Sequence, residues 1–173
     1  NDYVVDVRTP DELGRLRRAR VRRFHDGYRA GGGMIEAGFV DRPWARRLLL
    51  RLFGTDFDKE LQHNVNMTVP YGAVEYGQTA FGGTLRYEQP RLAHSPFGLS
   101  VLAGYARRHL DFQDTSRWTY DWFGNRVFER SEGTGETSLF ASDLTQWDNR
   151  FLARSNLNYA IARGHTARWV APP

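Results

Sequence analysis

The side chains best suited to holding a ligand are the aromatic residues Trp118, Tyr120, Trp122 and Phe123, crowded into one short polar stretch. Flat rings can stack on a ligand or narrow an entrance, and they can equally pack a loop onto itself. Gln62, His63 and Asn64 form a second candidate contact, three hydrogen-bonding side chains in a row. The five histidines, His25, His63, His94, His109 and His165, are scattered and show none of the i, i+4 pairs or close clusters that bind metals. His63 reads better as a loop hydrogen-bonder than as a metal ligand. With no cysteine, thiolate ligands and thiol nucleophiles are excluded. Neither a metal nor a cofactor is expected.

Bond-making chemistry is poorly provided for. Ser155, Asn156 and His165 lie near one another in sequence, and a hydrolase would need such groups to meet. That proximity is a common accident, so no catalytic residue is assigned and the chain is not read as an enzyme. Gly31-Gly32-Gly33 and Gly82-Gly83 lack the Lys-Ser/Thr end of a phosphate loop, and they read as bends or close approaches. The arginine-rich run 15–23 has no interleaved aromatics. It suits a solvated, carboxylate-paired or lipopolysaccharide-facing segment better than a nucleic-acid patch, and no nucleic-acid partner is expected.

Such residues must be carried by strands. Phe97, Leu99, Val101, Ala103 and Tyr105 share one face of a period-two segment, with Gly98, Ser100 and Gly104 on the other. Phe151, Ala153, Leu157 and Tyr159 repeat the plan against Arg154, Asn156 and Asn158. In both, the terminal aromatics are eight steps apart, about 26 Å along a strand. Tilted by about 40°, that spans roughly 20 Å, near the height of the apolar band between the aromatic girdles of an outer-membrane barrel. A β-sandwich strand would also alternate, but it does not call for aromatics at both ends. Phe81, Leu85 and Tyr87, then Leu48, Leu50 and Leu52, then Ile35, Ala37 and Phe39 give further apolar faces. Glu36, Arg47, Arg51 and Arg86 oppose them. These charges are tolerable where they face a lumen and pair.

The connections also bear on architecture. Asp41-Arg42-Pro43-Trp44 reads as a tight turn, and residues 89–96 as another short link. Residues 58–70 and 113–147 read as long polar loops, so that short turns and long loops fall on opposite sides, as in an outer-membrane barrel. Thr9-Pro10-Asp11-Glu12 resembles a helix-capping box and favours a short helix or irregular segment over 9–24, with an arginine-laden strand as the alternative. No apolar run is long enough for a membrane helix, and the mean hydropathy of −0.60 suits a wet-lumen barrel as well as a soluble protein. Aromatic residues at 14 % and 17 glycines fit a strand-rich chain. The ends, Asn1-Asp2-Tyr3 and Trp169-Val170-Ala171-Pro172-Pro173, suggest an internal piece of something longer.

The ordered series Asp41-Arg42-Pro43-Trp44-Ala45, Leu48-Leu49-Leu50, Phe57-Asp58-Lys59-Glu60-Leu61-Gln62-His63-Asn64, Met67-Thr68-Val69-Pro70-Tyr71-Gly72, Glu75-Tyr76-Gly77 and Tyr120-Asp121-Trp122-Phe123-Gly124 resembles the barrel of TonB-dependent outer-membrane receptors. The resemblance covers roughly residues 29–168 and rests on the order of loose motifs. It implies an all-β fold, with antiparallel transmembrane β-barrel strands and long extracellular loops. The chain would be one segment, residues 1–173, of a single barrel domain in the bacterial outer membrane. About six or seven strands would form part of a wall of about 22, and the plug domain and remaining strands would be absent. The implied function is ligand capture and energy-coupled uptake of a scarce nutrient, such as a metal chelate, a vitamin or an oligosaccharide. Implied partners are outer-membrane lipid and lipopolysaccharide, the rest of the barrel and plug, and a periplasmic energy-coupling protein reached through parts outside this chain. Loops 59–67 and 115–126 would hold the ligand contacts Gln62, His63, Asn64, Trp118, Tyr120, Trp122 and Phe123. The alternatives are a small self-contained outer-membrane barrel with a structural or adhesive role, and a soluble lipocalin-like barrel.

Overall fold

The computed structural model describes residues 4–138, 141–162 and 165–171. Of the end residues that suggested an internal piece, Asn1-Asp2-Tyr3 and Pro172-Pro173 lie outside them. In chain order the strands are β1 (Val4–Pro10), β2 (Leu16–Arg22), β3 (Tyr28–Arg42), β4 (Ala45–His63), β5 (Pro70–Gln89), β6 (Phe97–Asp114), β7 (Trp118–Tyr120), β8 (Arg126–Glu129), β9 (Ser142–Ala162) and β10 (His165–Ala171). A 3-10 turn, Leu92–His94, lies between β5 and β6. The long strands form one six-stranded sheet in the order β10-β9-β6-β5-β4-β3, and β1-β2 and β7-β8 are separate two-stranded sheets. The fold is all-β with antiparallel sheets, and among the described residues no barrel closes. None of the described helices is long and apolar enough to cross a membrane.

Strands β3 to β6 and β9 run for 15 to 21 residues, against about five or six in an ordinary globular sheet. Much of what reads as loop in the sequence is therefore strand. β4 continues to His63 and β5 begins at Pro70, so only residues 64–69 connect them. That link is no longer than the one over residues 90–96. The expected sorting of short turns and long loops survives only in the contrast between the Pro43-Trp44 turn and the stretch between β6 and β9.

Residues 9–24 are not helical. β1 and β2 pair antiparallel, with Val5 opposite Val21, Val7 opposite Ala19 and Arg8 opposite Arg18. Alternation places Val7 and Val21 on one face, where they are buried, and leaves Arg8 and Arg18 in solvent. Asp11, which reads as part of a helix cap, caps the hairpin turn instead. Its Oδ1 accepts the N–H of Leu13 at 3.0 Å and of Arg15 at 2.9 Å, and Gly14 supplies the positive φ of 76°. The Arg15 N–H holds the Asp11 carboxyl below its usual range.

The residues group into two compact units, Asn1–Gly31 with Asp56–Gln78 and His109–Gln146, and Gly32–Thr55 with Thr79–Arg108 and Trp147–Pro173. The second unit is a two-faced sheet. Phe97 meets Tyr159 and Tyr105 meets Phe151 at centroid distances of 4.8 and 4.9 Å, so the apolar faces of β6 and β9 coincide. Leu52 lies over Gly83, which aligns β4 with β5. On this face Ile35, Phe39, Leu50, Leu52, Phe81, Leu85, Phe97, Phe151, Tyr159 and Trp169 are each 39–80 % exposed. The opposite face carries ion pairs: Arg51 with Glu36 at 2.8 Å, Arg86 and Arg47 with Glu88 at 2.5 and 3.8 Å, and Arg108 and Arg150 with Asp148 at 3.0 and 2.9 Å. Met34, Val40 and Leu152 lie among these charges.

Candidate functional site

The first unit holds every residue proposed from sequence as a ligand contact, and it treats them differently. Trp122 is 3 % exposed and packs with Val7 and Val21 into the small core of this unit. Tyr120 lies flat on Gly72, whose missing Cβ would sit 2.4 Å from the ring. Trp118 is half-buried on β7 with the Arg126 guanidinium 5.3 Å from its ring centroid. Phe123 is 56 % exposed. The tight spacing of the four aromatics thus serves separate environments, and of the four only Trp122 is withdrawn by burial.

Gln62 and His63 are drawn into a polar network with residues the sequence did not single out. Arg23 donates to Gln62 Oε1 at 2.8 Å and to His63 Nε2 at 3.2 Å, and it also pairs with Asp26 at 2.8 Å. Lys59 also reaches Asp26, at 2.9 Å. His63 Nδ1 lies 2.7 Å from the Asn64 carbonyl. A carbonyl only accepts, so Nδ1 carries the proton and Nε2 accepts from Arg23. Both ring nitrogens are engaged. Gln62 is 1 % exposed and its Nε2 has no partner. Asn64 builds the turn, its Oδ1 accepting the N–H groups of Thr68 and Val69 at 2.8 and 3.2 Å. This triplet is structural in its contacts.

Two buried carboxylates escaped the sequence reading. Asp114, fully buried, accepts the N–H of Glu136 at 2.5 Å, the N–H of Thr137 at 2.8 Å and the Thr137 hydroxyl at 2.5 Å. Glu136 in turn accepts the N–H groups of Gly72 and Ala73, each at 2.8 Å. Burial pushes the Glu136 carboxyl above its usual range; those two N–H donors act against the shift, and the nearby Asp114 charge adds to it. Burial, with the Asp114 and Glu136 charges, also raises the Tyr71 phenol. Acidic residues 22 positions apart carry no local signal of such pairing. Together they tie the stretch between β6 and β9 to the start of β5.

A cavity of about 570 Å³ in the same unit is lined by Arg29, Asp58, Glu60, Glu75, Asp111 and Asp143, among others. Glu60 accepts the Gly27 N–H at 2.6 Å and lies 3.7 Å from His25 Nδ1. Among the described residues no group of three or more His, Asp or Glu side chains is arranged to hold a metal ion. Lys59 and the rings of Tyr28, Tyr76 and Phe112 share the lining, so the wall is mixed and its carboxylates offer hydrogen-bond acceptors to a cationic or hydroxyl-rich molecule. In the second unit a cavity of about 530 Å³ is bounded by Glu36, Arg47, Arg51, Arg86, Leu49 and Leu102. Ser155 pairs in register with Ala171 and not with His165, which pairs with Ala162. The serine and histidine are thereby held apart along the strands.

No family model, curated protein or solved structure matches the chain.

Proposed function

We propose that this chain is an arc of the wall of a TonB-dependent outer-membrane receptor, serving capture and passage of a scarce nutrient with no bond-making of its own. The observation that carries the reading is the two-faced sheet. A soluble sheet of this size would cover one face with a second layer, whereas here large apolar side chains fill one face and paired charges the other. Hydrocarbon on the apolar side and a wet lumen on the charged side satisfy both. Exposed apolar patches on soluble monomers are usually limited to roughly a few hundred Å².

Strand length supports the same reading. The stretches of β3, β4 and β5 within the second unit are each about eleven residues, close to the roughly 9–11 that cross a bilayer as tilted strand. β3 and β10 are the edges of the six-stranded sheet. In lipid those edges need further strands, because unpaired backbone N–H and C=O groups have no water to bond. The remainder of a barrel and a plug are the proposed partners, with energy coupling through parts outside this chain. Trp118 and Phe123 are the residues best placed for ligand contact.

The test is the intact denatured mass of the native protein, together with its location after cell fractionation. Recovery in the outer membrane at several times 20.0 kDa supports the receptor. Recovery there near 20.0 kDa replaces it with the small self-contained barrel, and recovery in a soluble fraction overturns both.

A further inference from the structure

We propose that Arg107 and Asn149 form a seat for the phosphate of an anionic lipid headgroup. The proposal rests on the membrane reading above and names the chemistry met at one border of the apolar face. Arg107 follows Val101, Ala103 and Tyr105 on that face by strand alternation. Its guanidinium carbon stands 4.0 Å from the centroid of Trp147, and its Nε is buried without a hydrogen-bond partner. Among the described residues it makes no ion pair, although Arg108, next in the chain and on the other face, is paired with Asp148. Stacking on the indole fixes the guanidinium plane and leaves its outer N–H groups free to donate.

A second donor lies beside it. The Tyr105 hydroxyl donates to Asn149 Oδ1 at 2.9 Å, which turns the amide so that its Nδ2 remains free to donate. An unpaired cation and an amide N–H₂ are complementary to phosphate oxygens. The neighbouring surface decides the source of that phosphate. Phe151, 80 % exposed, packs at a tilt against Tyr105, and the apolar row continues from there to Phe97 and Tyr159. A free anion has no use for that row, whereas an anionic lipid covers it with its acyl chains.

The native polypeptide, with the rest of its barrel included, is refolded with vesicles of phosphatidylcholine, alone or mixed with phosphatidylglycerol, and partitioning is read by flotation. The expected result is a preference for the anionic vesicles that falls about fivefold in Arg107→Gln, the equivalent of about 1 kcal/mol for one cationic side chain near an anionic surface. Arg107→Lys, which keeps the charge but not the planar fork stacked on Trp147, is expected to fall between the two. An undiminished preference in Arg107→Gln overturns the proposal. So does loss of the wild-type preference on adding inorganic phosphate at constant ionic strength, which would assign a free-anion seat. Insertion into both vesicles without preference removes this proposal alone, and insertion into neither removes the membrane reading as well.

Discussion

Asp114 holds Glu136 by its backbone, its carboxylate accepting the Glu136 N–H at 2.5 Å, while the Glu136 side chain spans onward to Gly72 and Ala73. Asp114→Ala leaves the buried Glu136 N–H without its acceptor, at a cost of about 1–3 kcal/mol for a buried orphan, and removes the acceptor of the more exposed Thr137 N–H as well. Hydrogen exchange at Glu136 and Thr137 is expected to accelerate on the order of a hundredfold. Exchange in the strands of the second unit is expected to stay unchanged. Uniform acceleration across both would show that the effect is not local.

The Glu136 carboxyl, raised mainly by burial, gives this tie a pH dependence. The folded unit binds the proton more tightly than the unfolded chain, so the contribution is fully present below the ordinary value of 4.5 and is lost as pH rises through the raised one. Proteolytic nicking of residues 115–138 is therefore expected to increase across that window. Glu136→Gln, which cannot ionise, is expected to flatten the profile while losing one of the two N–H contacts. An unchanged profile in the variant would assign the dependence to another group.

Trp122 and Phe123 are neighbours with opposite fates. Trp122→Ala empties the core beside Val7 and Val21 and is expected to cost about 3–5 kcal/mol of local stability. Phe123→Ala is expected to change it by less than about 0.5 kcal/mol. Thermal melts followed by near-ultraviolet circular dichroism separate the two. Within the receptor reading, Trp118→Ala is expected to weaken ligand uptake with membrane insertion intact.

The two faces of β5 give a direct test of the proposed membrane contact. Leu85→Arg puts a charge on the apolar face, at a cost of about 2–4 kcal/mol if that site lies at the bilayer midplane. Thr84→Arg puts the same charge beside Arg86 on the ion-paired face and is expected to be tolerated. Refolding yield into vesicles is the measurement, and equal yields would mean that the apolar face does not meet lipid.

The two faces of the long strands were legible in the sequence because side-chain direction alternates strictly along a strand. Phe97 with Tyr105 and Phe151 with Tyr159 mark two apolar faces by their equal spacing, and the structure adds that the two strands join ring to ring. The Pro43-Trp44 turn was legible for a similar reason, since proline fixes its own backbone angle. Pairing across distance was not legible. The arginine run 16–22 becomes a strand because β1 lies beside it and buries Val7 with Val21, and neither helix propensity nor a cap pattern contains that information. The same holds for Asp114 with Glu136 and for Arg23 with Gln62 and His63. Their partners are brought together by loop closure, so only the tertiary structure decided which polar side chains support the fold and which remain free for a ligand.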